Sequence, residues 1–182
     1  MSGRPSIQVI GSRLRRIRTR KIIATALAGV SLIGFAKLVK PTPILVWNVS
    51  ASAPIGLYRV GFEPPARGDL VLVRTPESVA EFAAERGYLP RNVPLVKRVA
   101  AQPGEHVCAF NEAIVIGGEI VARRLGTDGR GHPLPWWNEC RRLGRDEVFL
   151  LGGDAAGSFD SRYFGPVTSA RVIGRLAPLW TD

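Results

Sequence analysis

Ser52 and Lys97 are the two side chains whose settings suit nucleophilic chemistry at a carbonyl group. Ser52 sits in Asn48 to Tyr58 (NVSASAPIGLY), among small residues and two positions before Pro54. Proline fixes its own φ and keeps the preceding residue extended, so the backbone here is stiff and the hydroxyl accessible. Lys97 sits in Pro94 to Val99 (PLVKRV). Read as a strand, this segment directs Leu95, Lys97 and Val99 to one face and Val96 and Arg98 to the other. Apolar neighbours favour the neutral amine, and moving a lysine from about 10.4 toward 7 or 8 makes it a usable base. Arg98 cannot take that role, because guanidinium stays protonated. Each segment alone has a simpler reading: Ser52 as a turn serine bonded to its own backbone, Lys97 as a lysine reaching water at a strand edge.

Joint occurrence gives the pair its weight. Ser50-Ala51-Ser52-Ala53-Pro54 is followed by Gly68-Asp69-Leu70-Val71-Leu72-Val73, then by Lys97-Arg98-Val99 leading to Pro103-Gly104-Glu105. Gly152-Gly153-Asp154 then runs into Ser158-Phe159-Asp160-Ser161-Arg162-Tyr163-Phe164-Gly165. In order and approximate spacing these four segments resemble the type I signal peptidases. The resemblance implies a serine/lysine dyad, Ser52 with Lys97, on a mostly antiparallel β fold held against a membrane. It further implies that Ser158 orients the lysine amine and that Asp160 and Arg162 form an ion pair beneath the site. Ser50 resembles the position whose hydroxyl, with the Ser52 N–H, binds the oxyanion. The pattern departs from the housekeeping enzymes, which have Ser-Met-x-Pro. The form Ser52-Ala53-Pro54-Ile55-Gly56-Leu57-Tyr58, the short chain and Asp160 to Pro166 (DSRYFGP) instead resemble the conjugal transfer, TraF-like, peptidases. These process a pilin subunit, and their acyl-enzyme can be resolved by water or by the amine of the substrate's own N-terminus. An acyl-transfer site needs a nucleophile, a base, an orienting group and oxyanion donors, and each role has a candidate here.

The elements that must position these residues read as short strands punctuated by glycine and proline, so the expected fold is mainly β. Strands are predicted at Ile44 to Val49, Gly56 to Val60, Asp69 to Arg74, Leu95 to Ala100, Ala113 to Ile116, Glu119 to Ala122, Glu147 to Leu151 and Arg171 to Ala177. One short helix is predicted after Arg74, with Thr75 as its cap, Pro76 in its first position and Gly87 ending it. Gly126 to Gly144, with its adjacent Trp136 and Trp137, reads as an irregular excursion.

The formal charge is +10, but residues 1–40 carry nine Lys and Arg and no Asp or Glu. A nearly neutral remainder argues against nucleic acid as a partner. The segment Ile22 to Val39, interrupted only by Lys37, would reach about 27 Å as a helix, enough to span a bilayer. Its basic flank places residues 1–21 in the cytoplasm as a head, 22–39 as a transmembrane anchor and 40–182 as a peptidase domain in the periplasm. A cleaved export signal is the alternative reading of the same stretch. Cys108 and Cys140, the only cysteines, permit one disulfide in an oxidising compartment. With His106 and His132 as the only histidines, no metal or other cofactor is expected. The expected partners are an exported, pilin-like precursor, the inner membrane and other conjugation proteins. Two rivals stand beside this reading: a general signal peptidase acting on many exported proteins, and a non-catalytic peptide-binding assembly subunit.

Overall fold

Residues 18, 20–32, 34, 42–153 and 157–182 are described by the computed structural model. They fall into two units that divide between Thr42 and Pro43. In the first unit residues 20–32 are helical and exposed (α1). Among the described residues no helix is long and apolar enough to cross a membrane. Of the anchor expected at 22–39, residues 33 and 35–39 lie outside the described residues, as does most of the basic head at 1–21.

The second unit is mainly β. Its larger sheet is antiparallel in the order β1 (Leu45–Asn48), β2 (Gly56–Gly61), β11 (Val172–Thr181), β3 (Leu70–Val73), β4 (Leu95–Ala101), β9 (Glu147–Leu151) and β10 (Val167–Thr168). A smaller sheet runs β7 (Glu119–Arg123), β6 (Ala113–Ile116), β5 (His106–Phe110) and β8 (Cys140–Arg142). β3 lies near the middle of the larger sheet, and its run of Val71, Leu72 and Val73 is buried on both faces. Leu72 packs with Tyr58, Val60 and Val96 on one side, Val71 and Val73 with Val99 and Leu150 on the other. Each such aliphatic side chain contributes about 1.5–3 kcal/mol by leaving water. The sheet thereby fixes β4 in register, with Lys97 opposite Val71 and Arg98 opposite Leu70.

Helix α2 (Glu77–Glu85) forms where predicted, but its start differs. Pro76 occupies the cap position itself and no side chain caps the helix, so Thr75 does not play that part. Gly87 ends the element at φ 69°, and the Tyr88 N–H returns to the Ala83 carbonyl. A four-residue helix, α3 (Ser161–Phe164), follows Asp160.

Three strands escape the sequence reading: β5, β8 and β10. β8 lies inside the stretch expected to be irregular, and neither its composition nor its length marks it. Pairing defines it, with His106 opposite Arg142, Val107 opposite Arg141 and Cys108 opposite Cys140. The two cysteines are bonded, tying β5 to β8. Trp137 is buried in the core that packs against the smaller sheet, with Ile114, Ile116 and Phe149, its ring centroid 5.3 Å from that of Phe149. Gly165, at φ 76°, admits the Trp137 edge to a point where a β-carbon would lie 2.6 Å from Cδ1. Trp136 instead donates its indole N–H to the Leu125 carbonyl at 2.8 Å and stacks on the Arg124 guanidinium.

Candidate active site

The turn between β1 and β2 carries Ser50 and Ser52, and Asn48, the last residue of β1, builds it. The Asn48 side-chain amide donates to the carbonyls of Ser50, Ala53 and Pro54 at 2.9, 3.0 and 3.0 Å, while its oxygen accepts from the Ser50 N–H at 3.1 Å. From the β2 side the Tyr58 hydroxyl donates to the same Pro54 carbonyl at 2.7 Å. A loop of small residues, whose own side chains could not order it, is thus fixed by two buried polar groups. Asn48 was missed as a site residue; its signal is an asparagine at a strand end, two residues before a serine whose N–H it can bind.

Ser52 is buried in this turn, 6% exposed. Its hydroxyl lies 2.5 Å from the Ser50 hydroxyl, and its N–H donates to the same Ser50 oxygen at 3.2 Å. Lys97 projects from β4 and is 3% exposed. Its Nζ donates to the Ser158 hydroxyl at 2.6 Å. Among the described residues no hydrogen bond joins Ser52 directly to Lys97; the two line one cleft of about 960 Å³, which Ser50 and Ser158 also line. Gly152 brings the two halves together. A β-carbon there would lie 1.9 Å from Ser158 Oγ and 2.9 Å from Ser52 Cβ, so the two serines are separated by no more than those lengths combined. Next to it, the Gly153 N–H donates to the Ser52 carbonyl at 2.7 Å.

Behind Ser158 the backbone is held by Asp160 and Arg162, both buried. Asp160 caps α3 through the Arg162 N–H and accepts from the Gly152 N–H at 2.8 Å. The Arg162 guanidinium meets both carboxylate oxygens, at 2.8 and 2.9 Å, and donates to the Ser158 carbonyl at 2.9 Å. Burial disfavours the Arg162 cation, but these bonds and the adjacent charge outweigh it and raise its pKa. The pair spans the loop between Gly152 and Ser158, whose Asp154 lies outside the described residues.

Burial acts on Lys97 in the opposite sense. Desolvation lowers its pKa to about 8, with Asp160 pulling upward and Arg162 pushing further down. An amine of that pKa is largely neutral at mildly alkaline pH, and when it donates to Ser158 its lone pair is left for another proton. The structure therefore places Ser50, Ser52, Lys97 and Ser158 along one cleft, with Asp160 and Arg162 bonded behind Ser158. His106, Cys108 and Cys140 also hold their ligand atoms within 4.8 Å of one another, but both sulfurs are taken by the disulfide.

Comparison with known proteins gives the chain a family. The family model described as signal peptidase, peptidase S26, matches residues 16–180. The plasmid transfer protein TraF of Escherichia coli is 31% identical over 144 residues, covering 74% of this chain and 81% of that protein. The conjugal transfer protein TraF of Agrobacterium tumefaciens (strain 15955) is 36% identical over 145 residues, again 74% and 81%. A crystal structure of a signal peptidase I from Enterococcus faecalis V583 superposes with a TM-score of 0.41 at 21% identity, covering 64% of this chain and all of that one. By the extent of the family match and the identity to both TraF proteins, this chain belongs to the signal peptidase family, peptidase S26.

Proposed function

We propose that this protein is a serine endopeptidase in which Ser52 is the nucleophile and Lys97 the general base. Ser52 Oγ attacks the scissile carbonyl carbon as its proton passes to Lys97 Nζ. The carbonyl oxygen, now negative, is met by the Ser50 hydroxyl and the Ser52 N–H, which exchange their mutual 3.2 Å contact for the substrate oxygen. Collapse of the tetrahedral intermediate breaks the C–N bond, and the leaving amine takes the proton back from Lys97. An acyl-enzyme on Ser52 remains, to be resolved by water or by a substrate amine. Ser158 holds Lys97 in place, and the Asp160–Arg162 pair holds Ser158. The single observation that carries this reading is the buried Lys97 amine, 2.6 Å from Ser158, in the cleft that Ser52 lines.

The substrate is an exported precursor, in the first place a conjugative pilin; the likeness to the two TraF proteins supports this choice over a general signal peptidase. Residues 22–39 anchor the chain in the inner membrane with the basic head inside and the domain from residue 40 in the periplasm, a placement supported by the charge asymmetry of the sequence.

The test incubates membranes containing wild type, Ser52→Ala or Lys97→Arg with a candidate pilin precursor and weighs the products by mass spectrometry. Only wild type is expected to process it. A product lighter by one water than the linear trimmed chain identifies an amine as the acceptor. Processing by Ser52→Ala at the wild-type rate would overturn the nucleophile assignment, and full activity of Lys97→Arg would remove the base.

A further inference from the structure

The excursion between β7 and β8 plays no part in the chemistry above, yet its outer portion lines the same cleft through Leu125, Asp128, Arg130 and Leu134. Its root is firmly built. Arg124, 2% exposed, donates to the carbonyls of Trp137 and Asn111 and to Asn138 Oδ1, and Trp137 enters the core. The disulfide closes the base between β5 and β8. The outer portion has no comparable core, since residues 126–133 are exposed apart from a half-buried Asp128.

Most of the side-chain ties of this portion meet at one carboxylate, that of Asp128. Asp128 Oδ1 accepts from the N–H groups of Arg130 and His132 at 2.8 and 2.9 Å, which shapes the turn. Asp128 Oδ2 accepts from the Tyr88 hydroxyl at 2.5 Å and lies 3.1 Å from His132 Nδ1 and 4.0 Å from Arg86 NH1. Arg130 NH1 adds a bond to the Arg86 carbonyl at 3.3 Å. Tyr88 itself is seated by Phe82 and Phe159, with ring centroids 6.2 and 5.4 Å away. The tip of the excursion is thereby fastened to the end of α2, forty residues earlier in the chain.

We propose that Asp128 and Tyr88 are positioning residues for the peptide substrate: their bond holds the outer wall of the cleft so that Leu89, Leu125 and Leu134 receive an apolar side chain remote from the scissile bond. The proposal rests on the catalytic reading of this cleft and names a recognition element within it. Continuity decides the occupant. These leucines and the Ser52–Lys97 end line one cavity, so an extended peptide engaged at Ser52 continues into it. At about 960 Å³ the cleft exceeds what small residues beside the scissile bond would fill. Without the bond the wall would have to be ordered at each encounter, which weakens binding.

The experiment measures binding to the full-length Ser52→Ala protein in detergent by fluorescence anisotropy. Two labelled peptides are compared, one carrying leucines on the N-terminal side of the cleavage position and one with glycine in their place. The parent should prefer the leucine peptide by about tenfold or more. Added Asp128→Ala or Tyr88→Phe should erase most of that preference while leaving the glycine peptide within about twofold. Asp128→Asn, which keeps an acceptor for the backbone N–H groups and an amide for Tyr88, should restore it. Equal weakening of both peptides, no weakening of either, or a parent with no preference would each overturn the proposal. Failure of the catalytic reading is seen separately, as precursor processing by Ser52→Ala in membranes.

Discussion

Lys97 Nζ stands 2.6 Å from Ser158 Oγ, and both side chains are buried where β4 faces the loop before α3. The contact selects one hydrogen of the amine and leaves the remaining valence for Ser52, provided Lys97 is unprotonated. With desolvation lowering its pKa to about 8, the neutral form grows as pH rises through that value. Measured against a peptide substrate, kcat/KM should climb with an inflection near 8 and level off above it. A profile flat from neutral to mildly alkaline pH would rule out Lys97 as the base.

The same depressed pKa makes a stability prediction. Below about pH 8 the folded and unfolded states both hold the proton, and the fold bears the full cost of a buried cation. Between that value and the ordinary 10.5 the unfolded chain binds more protons, so the Lys97 contribution to stability rises with pH. Lys97→Met removes the cost and should be inactive yet more stable at neutral pH by about 2 kcal/mol, with this rise abolished. Urea denaturation at neutral and alkaline pH checks both parts; a less stable variant would mean the amine is no burden to the fold.

Asn48 is expected to matter to activity although it touches no reacting atom. Asn48→Ala strips three carbonyls and one N–H of their partner and should cost about 2–3 kcal/mol, with a fall in kcat larger than any rise in KM. Asn48→Asp should be worse at neutral pH, since a carboxylate would then face three carbonyl oxygens. Denaturation and steady-state kinetics on both variants decide the order.

Gly152 and Gly153 separate space from sequence. The β-carbon of Gly152→Ala would meet both serines, so kcat should drop about a hundredfold. At Gly153 the nearest atom is the Ser52 carbonyl oxygen at 3.3 Å, and Gly153→Ala should stay within about fivefold. Similar losses in the two would show that the site has room at Gly152.

Much of this protein was legible in its residues. β6 and β9 coincide with the strands expected at Ala113–Ile116 and Glu147–Leu151, and β3 falls within the predicted one, because continuous apolar runs bounded by turn residues have little else to become. Of the candidate site, Ser52 and Lys97 could be singled out by residue type and local setting, whereas Ser50, Ser158, Asp160 and Arg162 were pointed to only by the resemblance to the signal peptidases. What the chain order could not reveal is which groups face each other across long separations. The partner of Lys97 is 61 residues away, that of Tyr88 is 40, and β8 exists only because β5 pairs with it. Local propensity acts over a few neighbours, whereas register, burial and the direction of a buried hydrogen bond are set when distant segments pack. Residue type determined the chemistry on offer; the closing of the sheets decided that Asn48 braces the serine turn and that the excursion walls the cleft.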